Sequence, residues 1–354
     1  MKYLIIVGNG FDKAHNLRTT YYEFMQDLFG KYFTDKNLYN DILDPNSLYP
    51  ETNSFEALLN AVQRPFPGYN EPVFYNEFIR QLLIDIAEYK WCEIENKYFD
   101  ELMNNCNNNF DTRKLNEDFK GIKKYLSDHL TVAEKKATEI NSYKYFFNHF
   151  TNSEHSSSEA MILNFNYTNT IKKLYSNVIK CPIIHIHGEL ENIEKPIIFG
   201  YGAKDEDNQK LLSINKNNFL ENIKNHLYSR AKDKDTLKKF LGSSEWDEGP
   251  VNVMILGHSC GLSDGVILNE IFNSKYISSI KIFYYETYEQ FNDIQININR
   301  ILMNNTTVND LIVNFQDSYR MPQWNDDEKQ SLGFIEHIKA MNPPSPPPSP
   351  ITFI

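Results

Sequence analysis

Residues 3–12 read Tyr-Leu-Ile-Ile-Val-Gly-Asn-Gly-Phe-Asp. The unbroken apolar run Leu4-Ile5-Ile6-Val7 predicts a strand buried on both faces, as in the middle of a parallel sheet. Gly8 and Gly10 then allow a tight turn and let backbone N–H groups approach a ligand. Thr20 with Glu23 three residues on is a capping box ahead of Phe24, Met25 and Leu28, so a helix starts there. Strand, glycine turn and helix open many nucleotide-binding α/β folds. The third glycine of the dinucleotide fingerprint is absent, since Lys13 occupies its position.

Outward from this unit, residues 31–70 are rich in Tyr, Asn, Asp and Pro and predict an irregular connection with one short helix, 54–62. Residues 71–104 carry a helical stripe (Phe78, Leu82, Ile84, Ile86, Trp91, Ile94), 105–111 a loop, and 113–150 further helix. About 120 residues thus separate the first strand from the next, too many for an ordinary crossover. The predicted strands that follow are 160–164, 182–187, 196–200, 251–256 and 279–285. Helices are predicted at 169–176, at 264–272 capped by Ser263, and at 288–303. Residues 205–246 are helical and charged. The expected division is a core of 1–30 plus 155–305, a helical insertion 31–154, a C-terminal extension 306–342 and a Pro-rich tail 343–354 suited to polyproline II.

The chain has 354 residues and a formal charge of −11, from 36 basic and 47 acidic residues. No global basic footprint for nucleic acid exists. No apolar run reaches the roughly 18 residues of a membrane span, and the first strand lacks the cleavage site of a signal peptide. The four cysteines, Cys92, Cys106, Cys181 and Cys260, form no CxxC pair and read as thiols of a reducing cytoplasm.

Four predicted strands end in polar loops: Gly8-Asn9-Gly10-Phe11-Asp12, Asn164-Phe165-Asn166-Tyr167-Thr168, His185-Ile186-His187-Gly188-Glu189 and Gly257-His258-Ser259. Ligands of open α/β sheets bind at the carboxyl ends of strands, so these loops define one candidate site.

The opening loop, with His15, Leu17, Thr19, Tyr21 and Phe24, resembles the start of the AbiH family of bacterial phage abortive-infection proteins. The Asn-Phe-Asn-Tyr-Thr, His-Ile-His-Gly, Phe-Gly-Tyr-Gly and Gly-His-Ser…Ser-Asp segments fit the same family. More distantly, the chain is similar to the sirtuin-type NAD-binding fold. Gly8 to Asp12 resembles its Gly-Ala-Gly-Ile-Ser loop, Asn166 the Asn of its Gln-Asn-Ile-Asp motif, His187-Gly188 its catalytic His-Gly, and Gly257-His258-Ser259 its Gly-Thr-Ser loop. Thr168 stands where an acidic residue is usual and Asp12 where a small hydroxyl is. Zinc-module cysteines are absent, which argues against deacylation. The resemblance implies a three-layer Rossmann-like (sirtuin-like), mostly parallel sheet with a large helical insertion. It also implies hydrolysis of NAD+ as substrate, no metal, a homo-oligomer, and a phage-derived trigger.

Cleavage of the nicotinamide–ribose bond needs a diphosphate anchor, an oriented ribose and a base. The expected anchor is the N–H groups of Gly8, Asn9 and Gly10 at a helix N-terminus. Asn166 would fix a water or ribose hydroxyl, His187 would act as base, and Asp12 would orient His15, bind ribose or stabilise the cationic centre. Phe11, His15, Tyr167, Gly188, Gly257, His258 and Ser259 complete the expected cofactor contacts. Structural roles compete at each position. Gly8 and Gly10 serve equally in a strand-to-helix turn, Asn166 as a helix cap, His187 as a core histidine, and Ser259 as a cap. His185 reads as structural, and with His187 it lacks a third metal ligand. Two other functions stay open: a non-catalytic binder of a nucleotide or phage component that acts by assembly, and, less favoured by the charge, an enzyme acting on nucleic acid.

Overall fold

The computed structural model describes residues 2–35, 41–64, 70–89, 93–106, 112–152, 159–230, 232–242, 249–302 and 306–341. The predicted apolar run becomes β1 (Lys2–Val7), buried throughout. It is central because it can bury both faces: β2 (Glu159–Asn164) and β4 (Val251–Leu256) flank it, both parallel, with Lys2 opposite Glu159 and Val251. β3 (Ile183–His185) lies outside β2, while β5 (Ile277–Tyr284) and β6 (Tyr319–Arg320) lie outside β4. Among the described residues the sheet has six strands, all parallel, in the order β3-β2-β1-β4-β5-β6.

The chain leaves β1 directly into α1 (Asn9–Ala14), a helix the sequence reading did not anticipate. α2 (Tyr21–Thr34) follows with the expected capping box: Thr20 Oγ1 accepts from Glu23 N and Glu23 Oε2 accepts from Thr20 N. Then come α3 (Phe55–Gln63), α4 (Glu77–Tyr89), α5 (Ile94–Asn104) and α6 (Thr112–Ala133). These pack on each other through Phe24, Leu58, Leu82, Tyr98 and Phe119, with Phe199, Tyr201 and Phe219 from later in the chain. α7 (Asn141–Thr151) instead covers the sheet. With α8 (Thr170–Tyr175), it buries Phe146, Phe147 and Tyr175 against Tyr3, Ile5 and Val7.

Beyond β3 lie α9 (Asp205–Ser213), α10 (Lys224–Leu227) and α11 (Asp233–Phe240). α12 (Gly265–Phe272) and α13 (Tyr288–Leu302) cover the opposite sheet face, with Ile267, Ile271 and Ile298 on Leu4 and Ile6. α14 (Glu328–Met341) packs beside α7 through Phe334 and Ile338. The 306–341 stretch therefore supplies both an edge strand and a covering helix. Each fully buried Leu, Ile or Val contributes about 1.5–3 kcal/mol. No described helix is long and apolar enough to cross a membrane.

Three expectations are corrected. Residues 196–200 form no strand: Ile198 N donates to His187 O and Tyr201 N to Asn222 O, so the segment pairs with loops instead of the sheet edge. β3 stops at His185, because the chain turns at Gly188 (φ +76°) with Gly188 N bonded to His185 O. Ser263 makes no cap bond; it lies in a single 3-10 turn, Leu262–Asp264, before α12. The Pro-rich tail, Trp91 and Cys92 lie outside the described residues. Cys106, Cys181 and Cys260 are free thiols.

Candidate functional site

The direction of strand addition reverses between β1 and β4, and the loops leaving these two strands meet there. Gly8 N donates to Leu256 O (3.1 Å) and Gly10 N to Gly257 O (2.7 Å). The glycines are required by this contact. A Cβ at Gly8 would stand 2.6 Å from His258 Cα, one at Gly10 2.7 Å from Gly257 Cα, and one at Gly257 (φ +67°) 2.4 Å from Phe11 N. The expected phosphate cradle is thereby corrected: two of its three N–H groups are spent on the neighbouring loop. Asn9 N–H alone of the three makes no hydrogen bond among the described residues.

Beside this junction the strand ends enclose a cavity of about 490 Å³, within the roughly 300–1,000 Å³ of small-molecule sites. All four predicted loops reach it. Gly8, Asn9, Gly10 and Asp12 line it, with Asn166, Tyr167 and Thr168, then His187, then Gly257, His258 and Ser259. Phe11, His15 and Gly188 do not. Phe11 is buried in the layer between sheet and α7. His15 is fully buried, its Nδ1 2.6 Å from Phe11 O and its Nε2 2.6 Å from Tyr175 Oη. Burial pushes its ring down to about 4, so it stays neutral as a packing residue. Gly188 belongs to the turn beyond β3. His185 also stays outside, its Nδ1 accepting from Asn164 Nδ2 (3.2 Å).

Asn166 does not cap α8, whose N-terminal flanking residue is Asn169. Its Nδ2 donates to Gly8 O (3.0 Å) and its backbone N to Asn164 Oδ1 (3.1 Å), which ties the β2 exit to the β1 exit. Asp12 is 2% exposed. Its Oδ2 accepts from Thr168 Oγ1 (2.6 Å), while its Oδ1 is buried with no hydrogen-bond partner. Burial pushes this carboxyl up to about 7, against the hydrogen bond from Thr168, with the Glu134 charge adding to the rise. Glu93 also lines the cavity and is pushed up to about 7 by burial and by the charges of Glu95 and Asp264.

The cavity floor is an ion network of which the sequence reading named His187 and His258 but not the charges between and beneath them. Asp264 Oδ1 lies 2.8 Å from Lys224 Nζ and 3.2 Å from His187 Nε2, and its Oδ2 lies 3.3 Å from His258 Nε2. Lys224, fully buried, also pairs with Glu95 Oε2 at 3.1 Å. Glu95 Oε1 accepts from Gly200 N (2.9 Å). The partners assign the tautomers. His258 Nδ1 accepts from Cys260 N (2.9 Å), so its proton sits on Nε2, facing Asp264. His187 Nδ1 faces Phe165 O (3.1 Å), an acceptor, and therefore carries a proton; its Nε2 also lies 3.1 Å from Tyr228 Oη. Both rings thus have both nitrogens engaged within the protein. Burial alone would raise the Asp264 carboxyl, but Lys224, His187 and His258 hold it well below the usual carboxylate range. In the sequence the network was signalled by His187, by His258 and by the Ser-Asp pair ending at Asp264. Lys224 and Glu95 sit in stretches that read as ordinary charged helix.

Comparison with curated proteins finds no match. The family model described as "Bacteriophage abortive infection AbiH" matches residues 4–286. That span takes in the first five strands and every residue of the cavity and its floor up to Tyr285. The chain belongs to the AbiH family of bacteriophage abortive infection.

Proposed function

We propose that this abortive-infection protein binds NAD+ at the cavity and hydrolyses its nicotinamide–ribose bond. The observation that carries the reading is Asp12. One of its oxygens is held by Thr168, the other is unpaired, and its acidity is poised near neutrality where the β1 exit meets the β4 exit. A general base works best when its pKa lies near the operating pH. The strand order β3-β2-β1-β4-β5-β6 supports the reading, because Rossmann-type sheets wound in this order bind nucleotides at the same switch point.

In this reaction the Asp12 carboxylate takes a proton from water as the water oxygen bonds to the ribose C1′. The C1′–N1 bond breaks and its electron pair neutralises the pyridinium nitrogen, so nicotinamide leaves uncharged and ADP-ribose remains. The Asp12 proton then passes to solvent. Asn166, fixed through Nδ2, presents Oδ1 to a water or ribose hydroxyl. The base thereby moves from His187, the expectation from the sequence, to Asp12, because both His187 nitrogens already have partners.

The test is nicotinamide release from NAD+ by the purified chain and by Asp12→Asn, Asn166→Ala and His187→Ala. Release should fall about 10²–10⁴-fold in Asp12→Asn, the usual contribution of a general base. Release at the native rate by Asp12→Asn would remove it as base. Binding of NAD+ with no release from the native chain would favour a nucleotide-binding protein that acts by assembly.

A further inference from the structure

The charged side chains lining the cavity are Asp12, Glu93, Glu95, Asp264 and Asp293; among the described residues no Lys or Arg lines it. Lys224 offsets Glu95 and Asp264 from beneath, but Asp12, Glu93 and Asp293 have no basic partner within ion-pair distance among the described residues. Buried Asp12 Oδ1 is an acceptor without a donor. Tyr21, Tyr167 and Tyr285 contribute aromatic surface to the same lining. Of the three turn amides that would have offered a counterweight to phosphate, those of Gly8 and Gly10 are spent and only that of Asn9 is left. Carboxylates and aromatic faces attract cations and repel phosphate.

We propose that the cavity selects a cationic heteroaromatic ring carried on ribose, a pyridinium-type N-riboside, and that any phosphates of the ligand stay outside it. This rests on the hydrolase reading and deepens it: recognition comes from the positive ring that leaves, and the adenylate half is dispensable for it. Such a site also releases nicotinamide readily, because the ring loses its charge, and with it its attraction to the lining, once the bond has broken.

The experiment is calorimetric titration of the full-length chain with nicotinamide riboside, with its reduced dihydropyridine form (the same shape without the charge), and with ADP-ribose. Nicotinamide release from the riboside and from NAD+ is followed in parallel. The charged riboside should bind at least about tenfold more tightly than the reduced one, the scale of one desolvated cation–aromatic or charge contact. Glu93→Gln and Asp293→Asn, checked for native thermal unfolding, should each shrink that preference while leaving the affinity for the reduced riboside unchanged. ADP-ribose binding as tightly as the charged riboside, with no preference for the charged over the reduced ring, would overturn the inference even if NAD+ is hydrolysed. A carboxylate-dependent preference for the charged ring, with no nicotinamide released from either substrate, would support the inference and overturn the hydrolase reading.

Discussion

Replacing Lys224 by Met removes the cation that pairs with Glu95 and Asp264 beneath the cavity and leaves its shape nearly intact. Lys224 is fully buried and bridges Glu95 at 3.1 Å and Asp264 at 2.8 Å. Removing one partner of a buried ion pair strands the other charge and costs about 3–5 kcal/mol. That is a large share of the roughly 5–15 kcal/mol that holds a domain folded. The loss should also depend on pH, with a definite sign. In the native chain the Asp264 carboxyl is held well below its unfolded value, chiefly by Lys224 against the effect of burial. A depressed carboxyl contributes stability that is present above its unfolded value and lost as pH falls through the folded one. Without Lys224, burial dominates and raises the same carboxyl, and a raised group contributes stability that is lost as pH increases. The difference between native and variant should therefore be largest at pH 7.5 and shrink toward pH 4.5. Urea unfolding at the two pH values measures it. Neutralising the stranded acids in Lys224→Met/Glu95→Gln/Asp264→Asn should recover most of the loss, since uncharged replacements of buried ion networks are often tolerated. A pH-independent difference, or one below about 1 kcal/mol at pH 7.5, would refute the view of Lys224 as the counter-charge of the floor.

Asp12→Asn should behave in the opposite way: as a carboxyl raised to about 7, Asp12 contributes stability at low pH that is lost as pH rises through 7. The variant should be more stable than native at pH 8, by about 2–4 kcal/mol, and indistinguishable from it near pH 4; equal stability at both would show that the carboxyl is not strained by burial. Nicotinamide release by the native chain should rise as pH increases through about 7, where Asp12 and Glu93 ionise, and a flat profile between pH 6 and 8 would count against either carboxyl as base. Gly257→Ala should cost about 2–4 kcal/mol in chemical denaturation, from the left-handed backbone and the 2.4 Å approach to Phe11 N; a cost under about 0.5 kcal/mol would mean that the two loops do not pack as described. Thr20→Ala should lower stability by about 1 kcal/mol in urea unfolding through loss of the capping box; an unchanged midpoint would mean that the box does not hold the start of α2.

The strands that were legible are those that must be apolar without interruption. β1, β2 and β4 are buried on both faces, so burial wrote itself into consecutive residues. β6 left no such trace, because two residues at a sheet edge need no pattern, and Pro196–Gly200 imitated a strand because Ile197 and Phe199 are buried with the helices after β1 and Ile198 with the sheet. The start of α2 was legible because capping chemistry is local, with both partners three residues apart. The Lys224–Glu95 pair spans 129 residues, and each partner sits among charges that usually face solvent; only the fold brings them together.

The glycines show where local reading of a site stops. Gly8, Gly10 and Gly257 announce that backbone must come close to something, and they announce it correctly. What comes close is the loop across the switch point, and that partner is encoded some 250 residues away. Misassigning it changes the sign of the ligand. Three free amides at the first turn would make the cavity receptive to phosphate; with two of them consumed by Leu256 and Gly257, the carboxylates set the field. The position of the site at the carboxyl edge follows from strand and loop patterns alone. Its charge preference follows from hydrogen bonds between loops distant in sequence, and the binding of charged against reduced nicotinamide riboside measures that preference directly.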